Sequence, residues 1–190
     1  MKRNVLFSLY ALVALILVAA TACGGSEPSQ PAVQPTSVPQ PTAEPTSAPV
    51  TGGALDFSQP PTFGEQSLSA GFVPDPFEVS LISGGSVDAT SLGGGCNGYA
   101  ATAPDFRLRW DGSSARLRIM FVAATAGEDT TLIINAADGS WHCNDDSGGL
   151  NPMVEFANPV AGQYDIWVGS YGAGTYVSGT LRITELDLMP

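Results

Sequence analysis

FRLRWDGSSARLRIMFVA, residues 106 to 123, holds the plainest structural signal in the chain. Phe106, Leu108 and Trp110 alternate with Arg107 and Arg109, and Leu117, Ile119 and Phe121 alternate with Arg116 and Arg118. Successive side chains of a strand point to opposite faces, so this period of two predicts two strands, each with one apolar and one basic face. The Asp111-Gly112 step between them is turn chemistry. An apolar face on each strand needs a second layer to cover it.

The same texture extends in both directions. Phe77 to Ile82, Thr131 to Asn135, Met153 to Phe156, Tyr164 to Val168 and Tyr176 to Ile183 are short runs rich in β-branched and aromatic residues. Ser83-Gly84-Gly85, Ala126-Gly127, Asp138-Gly139 and Gly172-Ala173-Gly174 punctuate them. No stretch after the first segment sustains an apolar helical period. Residues 54–190 therefore predict an all-β fold, a single antiparallel β-sandwich or jelly roll of a size that one core can serve.

What precedes this domain is not part of a fold. Lys2 and Arg3, the apolar run from Val5 to Ala20 and the small residues Ala20-Thr21-Ala22 form a secretory signal over residues 1–22. Cys23 follows directly, and the segment resembles the bacterial lipoprotein signal, with Ala20 where leucine is more usual. The resemblance implies cleavage before Cys23 and acylation of its thiol. That anchors the protein to a membrane at the cell surface, an extracytoplasmic location. Residues 23–53 are rich in Pro, Thr and Ser, with PTSVPQPTAEPTSAP at their centre. They hold too little apolar bulk to offset the entropy of ordering, which predicts a disordered stalk, and the Pro-Thr pairs suit O-glycosylation.

Charge removes one class of partner. After the signal the chain has five arginines, no lysine and eighteen acidic residues. A balance that negative repels phosphate backbones, so nucleic acid is excluded. With Cys23 lipidated, Cys96 and Cys143 are the remaining cysteines of an exported chain and are expected to pair as a disulfide. Closing that loop is worth about 3 to 4 kcal/mol by chain entropy.

EDTTLIINAADGSWHCNDDSGGLNP, from Glu128 to Pro152, carries the densest polar chemistry. Asp138, Asn144, Asp145, Asp146 and Asn151 put hard oxygen donors on one glycine-rich stretch, which points to calcium; the alternative is a solvated turn whose side chains cap the backbone. The spacing is that of neither an EF-hand nor a nonapeptide repeat. Zinc is disfavoured because Cys143 is committed to Cys96. Asp146-Ser147-Gly148-Gly149 copies the sequence around the nucleophile of chymotrypsin-like proteases. That chemistry needs a histidine oriented by a buried acid, and the single histidine, His142, stands five residues away on an extended segment. The expectation is that the protein is not an enzyme. Tyr164 and Trp167 read as core, whereas Tyr171 and Tyr176, on a glycine loop, are candidates for ligand binding.

DTTLIINAADG (residues 129 to 139), NDD (144 to 146), Asn151-Pro152 and ANPVAGQYDIWVGSY (157 to 171) resemble the bacterial pre-peptidase C-terminal domains. The resemblance covers the second half of the chain. It implies a noncatalytic β-sandwich, calcium in acidic loops, and a role in substrate attachment or solubility, here behind a stalk rather than an enzyme. Two functions follow: a surface-anchored module that binds a glycan or a protein in adhesion, or a structural subunit of the envelope or of an extracellular fibre assembled by strand addition.

Overall fold

The computed structural model describes residues 54–190; the signal, Cys23 and the stalk lie outside the described residues. In chain order the strands are β1 (Glu65–Leu68), β2 (Phe77–Ile82), β3 (Val87–Asp88), β4 (Tyr99–Ala100), β5 (Phe106–Trp110), β6 (Arg116–Ala123), β7 (Thr130–Asn135), β8 (Trp141–Asn144), β9 (Met153–Ala157), β10 (Gly162–Ser170) and β11 (Ser178–Thr184). One 3₁₀ turn, Ala89–Leu92, follows β3 and is capped by the Asp88 carboxylate, which accepts from the Thr90 N–H. No helix among the described residues is long and apolar enough to cross a membrane.

The strands form two sheets. Sheet A is built around β10, which pairs on one side with β5 and then β4, and on the other with β7, beyond which lies β8. Sheet B runs β2-β11-β6-β9. All pairs are antiparallel except β1, which lies parallel to β5 along the edge, Glu65 beside Arg107. The alternation read in residues 106 to 123 decides the packing. Phe106, Leu108 and Trp110 face Leu117, Ile119 and Phe121 across the sandwich, joined by Leu132, Ile134, Tyr164, Ile166, Leu181 and Ile183 in one core. Removing this apolar surface from water is the main stabilising term.

The basic faces of the same strands turn outward and meet carboxylates. On sheet B, Arg118 lies opposite Glu155 and donates to it at 2.6 Å, Arg116 is 3.5 Å from Glu155, and both arginines reach Asp187 of the C-terminal segment. Arg118 also donates to the Leu188 carbonyl, which ties that segment to the outer face of sheet B, and Met120, two residues on, is fully buried. On sheet A, Arg107 pairs with Asp165 at 2.6 Å and donates to the carbonyls of Phe57 and Gln59, tying the N-terminal end of the domain down.

A second, smaller core lies on the outer face of sheet A. Trp167 and Ile133 point away from the main core yet are fully buried, because the segment carrying Ala89, Cys96 and Ala100 covers them. Glycines make that approach possible: a Cβ on Gly169 would overlap Thr131 and Tyr99, and one on Gly98 would overlap Thr131. Cys96 and Cys143 are joined by a disulfide across 47 residues, fixing the covering segment to β8. Such a bond belongs to an oxidising, extracytoplasmic compartment. Changing both cysteines to alanine should lower stability by about 3 kcal/mol, read as a fall in urea midpoint. An unchanged midpoint would mean that packing on Trp167 alone holds the segment.

Candidate binding surface

The β7–β8 hairpin organises the polar chemistry, and it separates residues that are close in sequence. Its register pairs Asn135 with Trp141 and Leu132 with Asn144. Asp138 therefore sits in the turn at one end, while Asp145 and Asp146 follow β8 at the other. The Asp138 Oδ1 atom accepts from the Ser140 N–H at 2.9 Å and from the Ser140 hydroxyl at 2.5 Å, and these bonds hold its carboxyl below the ordinary range. The two asparagines are occupied by the backbone. Asn144 Oδ1 accepts from the Met153 N–H at 2.9 Å and from the Ser147 hydroxyl, and Asn151 Oδ1 accepts from the Ala123 N–H at 3.0 Å. Of the five residues expected to share a cation, Asp138 lies at the far end of the hairpin, and Asn144 and Asn151 stand in the same loop as Asp145 and Asp146 but have their side-chain oxygens engaged by backbone donors. Among the described residues, no three acidic, histidine or cysteine side chains stand where they could hold a metal ion together.

A third carboxylate, not singled out in the sequence, joins that pair. Asp129 precedes β7 and lies beside the end of β8; burial first, then the charges of Asp146 and Asp145, push its carboxyl above the ordinary value. Asn97, next to the disulfide, donates to Asp145 Oδ2 at 3.2 Å. Folding the sequence back on itself about Asp138 would have placed Asp129 here, because the hairpin is symmetric around that turn.

Tyr171 continues this surface. Its N–H donates to the Asp129 carbonyl, and its ring, 56% exposed, lines a hollow of about 220 Å³ with Asp88, Thr90, Asn97 and Tyr99. Tyr176 is 67% exposed nearby in sequence but is not among the residues of the hollow. Tyr164 and Trp167, by contrast, are buried on opposite faces of β10.

The protease-like motif is not arranged for catalysis. The Ser147 hydroxyl donates to Asn144 and lies 3.4 Å from the Met153 carbonyl. His142 shares its hydrogen bond with Ser140 at 2.8 Å and stacks edge-on against Phe156. A nucleophilic serine needs a base within hydrogen-bond reach, and the only histidine of the chain is engaged elsewhere.

No protein-family model and no curated protein sequence matches the chain. Among solved structures it is similar to the pre-peptidase C-terminal domain of a Bacillus anthracis collagenase, at 13% identity and TM-score 0.33, covering 63% of this chain and 92% of that one. It is also similar to PliG from Aeromonas hydrophila, a periplasmic inhibitor of g-type lysozyme, at 14% identity and TM-score 0.33, covering 64% and 96% respectively.

Proposed function

We propose that this protein is a noncatalytic binding module, anchored at the cell surface through a lipid on Cys23 and held out from the membrane by its stalk. The observation that carries this reading is the hollow beside the disulfide, where the exposed Tyr171 ring stands next to Asp88, Thr90 and Asn97. An exposed aromatic face flanked by carboxylate, hydroxyl and amide groups suits the apolar face and hydroxyl edges of an extracellular glycan. The surroundings are made rigid by Cys96–Cys143 and by the cap on Asp88, which lowers the entropy lost on binding.

The proposal keeps calcium as a ligand of the same end of the hairpin, taken by Asp145 and Asp146 with backbone carbonyls and water completing its shell, and with Asp129 adding negative charge beside them. Oxygen donors of this kind are what calcium takes, and a cation offsets the repulsion among the three carboxylates. The domain is expected to be retained on a polysaccharide column, and Tyr171→Ala should weaken retention at least tenfold, about 1.4 kcal/mol. Chelator should lower the melting temperature of the wild type and leave Asp145→Ala unchanged. Retention that is indifferent to Tyr171→Ala would remove the hollow as the site. Concentration-dependent polymers without retention would favour the structural subunit instead, joined through the free edges of β2 or β8.

A further inference from the structure

The far end of the hairpin holds a second cavity that the glycan reading does not use. It opens where the edge strands of the two sheets, β8 and β9, come together, and its volume is about 250 Å³. Three rings line it in an edge-to-face chain: His142 against Phe156 at 4.8 Å between centroids, and Phe156 against Tyr164 at 5.2 Å. Asp138 and Glu155 stand at its rim.

Charge at this cavity is one-sided. Glu155 is already matched by Arg118 and Arg116, whereas Asp138 forms no ion pair among the described residues, and the one basic group that acts on it is the His142 ring of the same cavity. Asp138 Oδ1 takes both hydrogen bonds from Ser140, which leaves Oδ2 without a protein donor. The charge of Asp138 reaches the aromatic floor, since it adds to burial in pushing the Tyr164 hydroxyl up. The rest of the domain supplies no competing cation. Each of its five arginines, Arg107, Arg109, Arg116, Arg118 and Arg182, is held by a carboxylate of the same domain.

We propose that this cavity receives a single basic side chain, lysine or arginine, presented by a partner peptide or protein outside the cell. A cavity of about 250 Å³ has room for one side chain. Aromatic rings attract a cation electrostatically while sheltering its alkyl stem. The Asp138 carboxylate gives the charged head its partner, and the surplus of unpaired carboxylates steers a basic partner toward the domain.

The test uses the full chain, isotope-labelled and held in detergent micelles, titrated with acetyl-Gly-Lys-Gly-amide and with its norleucine counterpart. The lysine peptide should shift the amide signals of Asp138, His142, Glu155 and Ala157, and the norleucine peptide should not. Asp138→Asn, whose side-chain oxygen still accepts from the Ser140 N–H and so preserves the turn, should weaken the lysine response at least tenfold. Glu128→Gln, before β7 at the other end of the hairpin, should leave it in place. Equal shifts with norleucine would show an apolar hollow with no cation preference and overturn the proposal. An equal loss with Glu128→Gln would reduce it to general charge attraction, and the absence of any shift at these four residues would also sink it. None of these outcomes bears on Tyr171, so the glycan reading stands or falls separately.

Discussion

Replacing Asp105 with asparagine should make the domain more stable at pH 8 and change little at pH 4. Asp105 is 2% exposed, none of the ion pairs among the described residues includes it, and its Oδ2 accepts a single bond, from the Val168 N–H at 2.7 Å. Burial pushes its carboxyl from 3.8 up to about 7, and the Val168 bond offsets only part of that rise. In the unfolded chain it ionises at the ordinary value, so between these two pH values the folded state holds a proton that the unfolded state has released. The stability from this group is full below the unfolded value and is lost as pH rises through the folded one. At about 1.4 kcal/mol per pH unit, the loss by pH 8 is on the order of 4 kcal/mol. Asparagine keeps a neutral oxygen toward Val168 and cannot ionise. The urea midpoints of the two proteins should diverge from pH 4 to about pH 7 and stay apart by the same amount at pH 8, and a difference that is the same at pH 5 and pH 8 would show that another group titrates. The position matters for binding, because Asp105 sits where β10 leaves β5 and turns to β4, just before the Tyr171 loop.

Where a strand carries its own alternation, its place was legible. Phe77 to Ile82 and Phe106 to Trp110 are strands to the residue, and the faces assigned to Leu117, Ile119 and Phe121 against Arg116 and Arg118 are the faces observed. The strands that escaped, β1, β3, β4 and β8, are two to four residues long and carry no clean period. The burial of Trp167 on an outer face depends on a covering segment that passes through Gly93-Gly94-Gly95, where no pattern of side chains announces a layer; pairing of the last two cysteines was its only trace. The acidic stretch misled in one respect: nearness along the chain suggested one cluster, but a hairpin sends neighbours on either arm in opposite directions. Asp138 went to the turn, Asn144 and Asn151 went to backbone donors, and Asp129 came in from the other strand.

Arg107→Ala should destabilise the domain by about 3–5 kcal/mol, or roughly 10–15 °C in melting temperature. Arg107 is 9% exposed and Asp165 is 2% exposed, and they sit opposite each other on β5 and β10. Truncation leaves the Asp165 carboxylate buried with only the Gln163 amide, 2.7 Å away, as a side-chain partner. It also frees the carbonyls of Phe57 and Gln59, so the segment before β1 loses its tie to the sheet. The two effects can be separated. Breaking a buried pair costs more than the pair contributes, whereas replacing both partners with apolar residues of similar volume is often neutral. The double variant Arg107→Met with Asp165→Leu should therefore recover most of the stability lost in Arg107→Ala. It should not recover the docking of residues 54 to 63, which needs a donor for those two carbonyls. Limited proteolysis should cut that segment in both variants and spare it in the wild type, while urea melts place the double variant near the wild type. Should the double variant be as unstable as Arg107→Ala, the arginine's main contribution is the anchoring of the N-terminal segment and not the neutralisation of Asp165.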